Sequence, residues 1–289
     1  MFMKVKSNIR KNLLFTLIIL LLQVIPAAAF DAAETSDLYF KAITEGAAIP
    51  ILEVSEAEKT EANAYKAQAL LVEKILAYQK TTIAGHKAGL TTEAQMSRFG
   101  APAPVSAPLF KTGLIELRDY SSEAKVVAFK GIMLENEFAF KIAKTVTAPV
   151  KDEKELKGLV ASAHMAIEVP QLNFTDMSRL GFFDLTAAVV GSKMFIIGPA
   201  CATDLDFDTI KVVMTKDGAT VNEGVGSEVL GGQWGALLDL VNGVLARGGK
   251  IEAGQYFMTG ALGKMIPGGP GKYRAETSIG ALLFTIADK

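Results

Sequence analysis

The chain has 289 residues, half of them hydrophobic, enough to bury a sizeable core in one large domain. A formal net charge of −1 excludes a global basic field suited to nucleic acid. The single cysteine, Cys201, excludes an internal disulfide and a cysteine-based zinc cluster, and is expected to be a buried, inert thiol.

Residues 1–29 read as an export signal. Lys4, Lys6, Arg10 and Lys11 form a basic head, and Leu13 to Ile25 is apolar but for Thr16 and Gln23. Pro26 leads into Ala27-Ala28-Ala29, with small residues at the two positions signal peptidase reads. The apolar run is short for a bilayer span, which needs about 20 residues; an uncleaved anchor is the competing reading. Cleavage after Ala29 would leave 26 basic against 31 acidic residues, a net of −5, in a periplasmic or secreted chain without a stable membrane span. Residues 30–289 then form one α+β domain, helical to about residue 80 and strand-rich after it.

In that domain Ser36 or Asp37 is expected to cap a first helix with Tyr39, Phe40 and Ile43 on its apolar side. Ser55, followed by Glu56 and Glu58, is expected to open a long helix. That helix would bury Ala67, Leu70, Leu71, Val72, Ile75 and Leu76 and expose Lys66, Gln68, Glu73 and Lys74. Thr82 to Leu90 reads as a strand running into a glycine-marked turn, and Ala101 to Pro108, with its prolines, as an ordered loop. Val126 to Phe140 reads as strands and Asp152 to Ala163 as a helix. Further strands are expected at 165–169, 194–197, 209–214, 255–259 and 281–287, with a helix from Gln233 to Arg247 stopped by Gly248-Gly249.

Three glutamates stand out against this apolar background. Glu135 and Glu137, in Leu134-Glu-Asn-Glu-Phe138, are two apart on a strand and so share a face, about 7 Å apart at the backbone. Glu168 lies in a second apolar strand, Met165-Ala-Ile-Glu-Val169. Like charges in such a setting are expensive unless a cation compensates them, and three carboxylates suit Mg²⁺ or Mn²⁺. By spacing alone, the solvent face of an edge strand fits Glu135 and Glu137 as well. Lys87, between glycines in Gly85-His-Lys-Ala-Gly-Leu-Thr91, could approach an anion or lie in a solvated turn. His86 and His164 have no partner at metal-ligand spacing and read as structural or surface residues. Gly224-Val-Gly-Ser-Glu-Val-Leu-Gly231 has the wrong spacing for a nucleotide fingerprint and no expected strand-turn-helix around it. Thr259-Gly-Ala-Leu-Gly263 could offer a hydroxyl and backbone N–H groups to a carboxylate, or be a tight turn.

Taken in order, these segments resemble one family, the 2-keto-4-pentenoate hydratases and 4-oxalocrotonate decarboxylases of the fumarylacetoacetate hydrolase superfamily. Gly85 to Thr91, with Gln95 and Gly100, is similar to its lysine box; Glu135-Asn-Glu137 falls at its E-x-E pair and Ala166-Ile-Glu168 at its third metal-ligand segment. Gly226-Ser-Glu-Val-Leu-Gly231 and Met258-Thr-Gly-Ala-Leu-Gly263 resemble its two C-terminal boxes. The resemblance implies a rolled mixed β-structure of the fumarylacetoacetase C-terminal type with flanking helices. It implies Mg²⁺ or Mn²⁺ on Glu135, Glu137 and Glu168, Lys87 as the catalytic group, and Thr259, Gly260 and Ser227 at the substrate. The expected activity is a hydro-lyase one on a short 2-hydroxydienoic or 2-oxo acid. Decarboxylation, acylpyruvate hydrolysis or a non-catalytic periplasmic binding role are the alternatives. Expected partners are that small acid and further copies of the chain. Two segments depart from the family pattern: Val105 stands where an acid is usual, and Ala188-Val-Val-Gly-Ser192 replaces a D-N-A-S-like run.

Overall fold

A computed structural model describes residues 30–289, so the expected export signal lies outside the described residues. The chain opens with helices α1 (Ala32–Glu45) and α2 (Glu61–Gln79), then β1 (Ile83–Gly89), α3 (Glu93–Phe99), β2 (Val105–Phe110), β3 (Leu114–Glu116) and β4 (Glu123–Val127). The centre holds β5 (Met133–Ile142), α4 (Glu153–Lys157), β6 (Val160–Val169), α5 (Phe182–Ala187) and β7 (Met194–Cys201). The C-terminal part comprises β8 (Lys211–Lys216), β9 (Ala219–Val225), α6 (Gly232–Ala246), β10 (Tyr256–Met258), β11 (Leu262–Pro267), β12 (Gly271–Thr277) and β13 (Gly280–Ala287). Among the described residues no helix is long and apolar enough to cross a membrane.

The strands form two mixed sheets. The larger runs β2-β1-β10-β5-β6-β7-β3, with β11 also on β5; the smaller runs β4-β13-β12-β8-β9. The main apolar core takes Leu134, Phe138 and Phe140 from β5, Leu282 and Phe284 from β13, and Leu237, Val241 and Val244 from α6. A second core gathers Tyr39 of α1, Leu71 and Ile75 of α2, Leu185 of α5 and the Val189-Val190 turn. The helical N-terminal part therefore packs on the segment that comes after α5, and it closes one side of the larger sheet.

Several local expectations are corrected. Asp31 caps α1, its Oδ1 accepting from the N–H groups of Ala33 and Glu34, so the helix starts ahead of Ser36. Glu56–Glu58 is only a short 3₁₀ turn, and α2 begins behind Thr60, whose hydroxyl accepts from Asn63 N–H. That 3₁₀ turn holds the start of the domain, where Phe30 N–H donates to Glu58 Oε1 at 2.8 Å. Gln68 is buried, because its amide donates to the carbonyls of Ser106 and Thr186 and so ties α2 to β2 and α5. The proline-rich segment becomes β2 from Val105 onward, with Pro108 opposite His86 in the ladder. The helix expected from Asp152 stops at Lys157, before Gly158, and Val160 onward joins β6 because its residues pair with β5. Cys201 is only half-buried, and its thiol donates to Ala163 O. A strand, turn and helix do flank residues 226–231, but within an antiparallel sheet pairing and without nucleotide spacing.

Candidate active site

Register brings the acids together. In the β5–β6 ladder Glu135 lies directly opposite Glu168, and Glu137 is one pleat along on the same face. One carboxylate oxygen from each of Glu135, Glu137 and Glu168 lies within 4.8 Å of the others. Glu137 and Glu168 are 2 % and 1 % exposed and Glu135 is part-buried, so the E-x-E pair faces into the protein and not onto an open solvent face. Lys87 reaches the cluster from β1, two strands away across β10. Its Nζ lies 2.5 Å from Glu168 Oε1 and donates to Val190 O at 2.7 Å.

The edge of β5 explains the opening at this point. β10 pairs with it as far as Ala139, and β11 resumes pairing at Asn136. Thr259, Gly260 and Ala261 cross the gap, and Gly260 N–H turns in to donate to Glu137 Oε2 at 2.8 Å. Gly260 has φ +119, and a Cβ there would stand 2.3 Å from Thr91 Oγ1, so only glycine fits.

The electrostatics stem from burial. Burial, and then the charge of Glu168, pushes the Glu135 carboxyl up to about 8, although Lys87 opposes the shift. Glu137 is pushed well above the usual carboxylate range, first by burial and then by Glu168 and Glu135, with the Gly260 N–H and Lys87 opposing. One ammonium cannot neutralise three carboxylates. Glu137 Oε1 and Glu168 Oε2 are buried without a hydrogen-bond partner. Buried, converging oxygens with unused lone pairs are the donor set a hard divalent cation takes, so these residues fit the expected metal.

Other expected site residues sit elsewhere or are already engaged. The Thr259 hydroxyl is wholly buried and donates to Gln233 Oε1, so it holds α6 rather than facing a substrate carboxylate. Gly260 N–H serves Glu137 for the same reason: the turn packs inward against β5. Ser227 is exposed, on a surface groove with Thr92, Asp208 and Glu228, apart from the cavity at Lys87. His86 is buried against the Phe257 ring, and burial with the nearby Arg247 charge lowers it to about 4. His164 lies between Ser162 Oγ and Gly198 O, so both histidines are structural. Sequence reasoning missed Val190, whose carbonyl positions Lys87, and Gln233, whose amide ties Gly226 to Thr259. A backbone acceptor leaves no residue-type signal, and a helical glutamine reads as surface.

The chain is similar to known proteins in both sequence and fold. No family model matches the chain. It is 30% identical to 2-keto-4-pentenoate hydratase of Paraburkholderia phymatum over 186 residues, 64% of this chain and 70% of that protein. It is 30% identical to 4-oxalocrotonate decarboxylase of a Pseudomonas strain over 210 residues, 69% and 76% of the two chains. Among solved structures, 4-oxalocrotonate decarboxylase from Pseudomonas putida, complexed with magnesium and adipate, superposes with a TM-score of 0.76 at 20% identity, covering 89% of this chain and 97% of that one. The fold is that of the fumarylacetoacetate hydrolase superfamily. Within it, the chain belongs to the family of the 2-keto-4-pentenoate hydratases and 4-oxalocrotonate decarboxylases.

Proposed function

We propose that the chain is a Mg²⁺- or Mn²⁺-dependent hydro-lyase that adds water to a short 2-hydroxydienoic acid of the 2-keto-4-pentenoate kind. The observation that carries this reading is the buried cluster of Glu135, Glu137 and Glu168 with the Lys87 ammonium on Glu168. The three glutamates would hold the cation, which supplies Lewis-acid charge for a 2-oxo acid head group. Lys87, fixed by Val190 O, can stabilise negative charge growing on the substrate's 2-oxygen, or pass a proton to the dienol carbon. Gly260 N–H holds Glu137 in place. Apolar side chains, Leu90, Leu172 and Val190 among them, line the cavity beside Lys87.

A decarboxylase on a 2-oxo acid is the second reading, favoured by the match in fold and sequence to 4-oxalocrotonate decarboxylases. Both use the same polarised 2-oxo group. The export signal and assembly with further copies belong to this proposal as well, and light scattering on the purified chain tests the assembly. The test of activity is a continuous ultraviolet assay of the chain from Phe30 with Mg²⁺ and 2-hydroxypenta-2,4-dienoate. Loss of the dienol absorbance with formation of a 4-hydroxy-2-oxo acid is expected. Carbon dioxide release from a 2-oxo-enedioic acid without hydration would instead support the decarboxylase. Absence of both activities moves the reading to a metal-dependent binding protein.

A further inference from the structure

Strand β1 serves two faces of the larger sheet. Lys87 turns to the glutamate cluster, and Ala88, the next residue, turns to the opposite face, with Ser106 of β2 across the ladder from it. On that opposite face, against α6, lies a chamber of about 260 Å³. Ala88, Val105, Leu230 and Leu240 are among its apolar walls, and none of its lining residues lines the cavity at Lys87. Leu230 is 46 % exposed, a large apolar side chain without cover at the chamber's edge.

Three charged residues also line the chamber, and none pairs with another. Arg247, just past α6, stacks on the Tyr65 ring, 4.1 Å from its centroid, and donates to Ser106 Oγ. Most of its five N–H donors remain unused, and among the described residues it forms no ion pair. Glu61, the first residue of α2, and Asp239 of α6 are exposed and form none either. Glu61, Ser106 and Arg247 also line a wider groove between α2 and the end of α6, with Lys66, Glu73 and Lys250 on its exposed parts. His86, 8 % exposed, lies on the wall of that groove, and its Nε2 has no hydrogen-bond partner.

We infer that the chamber is a second binding site, for a free α-amino acid with a branched or single-ring apolar side chain. Such a molecule carries a carboxylate for Arg247 and an ammonium for Glu61 and Asp239, beside one carbon. A simple organic anion would meet two carboxylates for one guanidinium, and a simple amine would leave the guanidinium unmatched. The side chain fits the apolar part: a cavity of about 150 Å³ takes benzene, so one of 260 Å³ takes a leucine or phenylalanine side chain with its Cα. The site is independent of the metal-site reading, because β1 stands between the two.

Titration calorimetry on the purified chain in EDTA tests this, since the chelator removes any metal through which an amino acid could bind at the glutamates. L-Leucine and L-phenylalanine should bind. 4-Methylpentanoate, which lacks the ammonium, and L-leucinamide, which lacks the carboxylate, should each bind about tenfold more weakly or worse. Arg247→Gln should weaken L-leucine by about tenfold, and Glu61→Gln with Asp239→Asn by a similar factor. Ala236→Phe, which fills the chamber from α6, should abolish binding. It also decides the matter if Arg247→Gln fails to fold. Three results overturn the inference: neither amino acid binds, the two truncated analogues bind as tightly as L-leucine, or L-leucine binding is unchanged in Ala236→Phe.

Discussion

The ammonium of Lys87 lies between a carboxylate and a carbonyl, so replacing it acts on charge before shape. Lys87→Met should lower turnover on the order of 10²-fold or more while the thermal shift given by Mg²⁺ survives. Loss of both would mean a folding defect instead. Glu137→Gln should remove most of that Mg²⁺ shift, since it takes a ligand charge from the cluster. The pH dependence of the metal-free chain has a definite sign. Glu135 holds its proton to about 8 in the folded state but only to about 4.5 when unfolded, so the folded state binds more protons between these values. Stability therefore falls as pH rises through that window. His86 opposes this below 6.5, because it is neutral when folded and charged when unfolded down to about 4. The clean range is pH 6.5 to 8, where the melting temperature without metal should drop; Glu137 is raised too, so Glu135→Gln should lessen the drop and Glu135→Gln with Glu137→Gln should lessen it further. Mg²⁺ should abolish it as well; a flat profile without metal would contradict the assigned burial. The three glutamates and Lys87 were legible through the order of the family's boxes, since by spacing alone an edge-strand face or a solvated turn fitted Glu135, Glu137 and Lys87 as well. The engagement of Thr259 and the exposure of Ser227 were not, since hydroxyl and glycine segments look alike whether they face a ligand or a core.

At the scale of elements, β5 does two jobs: one face carries the acids and the other carries Leu134, Phe138 and Phe140 into the main core. Alternation gave that division directly. The break between β10 and β11 was not legible, because it depends on which strands meet and not on the local pattern. For the same reason the segment 152–163 misled: charged residues ahead of Gly158 do make a helical turn, but pairing with β5 draws Val160 and its successors into a strand. The docking of α2 depends on a residue expected in solvent. Gln68→Leu would leave the Ser106 and Thr186 carbonyls without their donor, at a cost of about 2–4 kcal/mol. Urea melts should register that loss. A melt unchanged from the parent chain would show that α2 is held by its apolar face alone.

For the molecule as a whole, the two sheets and the helical cover form the family fold, and five boxes in order made that legible where no single box would. The export step is tested by sequencing the protein recovered from its native host: it should begin at Phe30, and intact Met1-containing chain in the cytoplasm would refute the signal. Cleavage there would change the Phe30–Glu58 contact. In the uncut chain the Phe30 nitrogen is a neutral amide donor, 2.8 Å from the Glu58 carboxylate. Cutting after Ala29 would turn the same atom into an α-ammonium with a pKa of roughly 8, so maturation would convert an ordinary hydrogen bond into an ion pair. The new terminus would become a charged clasp between the start of α1 and the 3₁₀ turn ahead of α2. Chains with extra residues before Phe30 would lack it and should be less stable by about 0.5–1 kcal/mol at pH 7. That difference should fade as pH rises past about 8 and the terminus loses its charge.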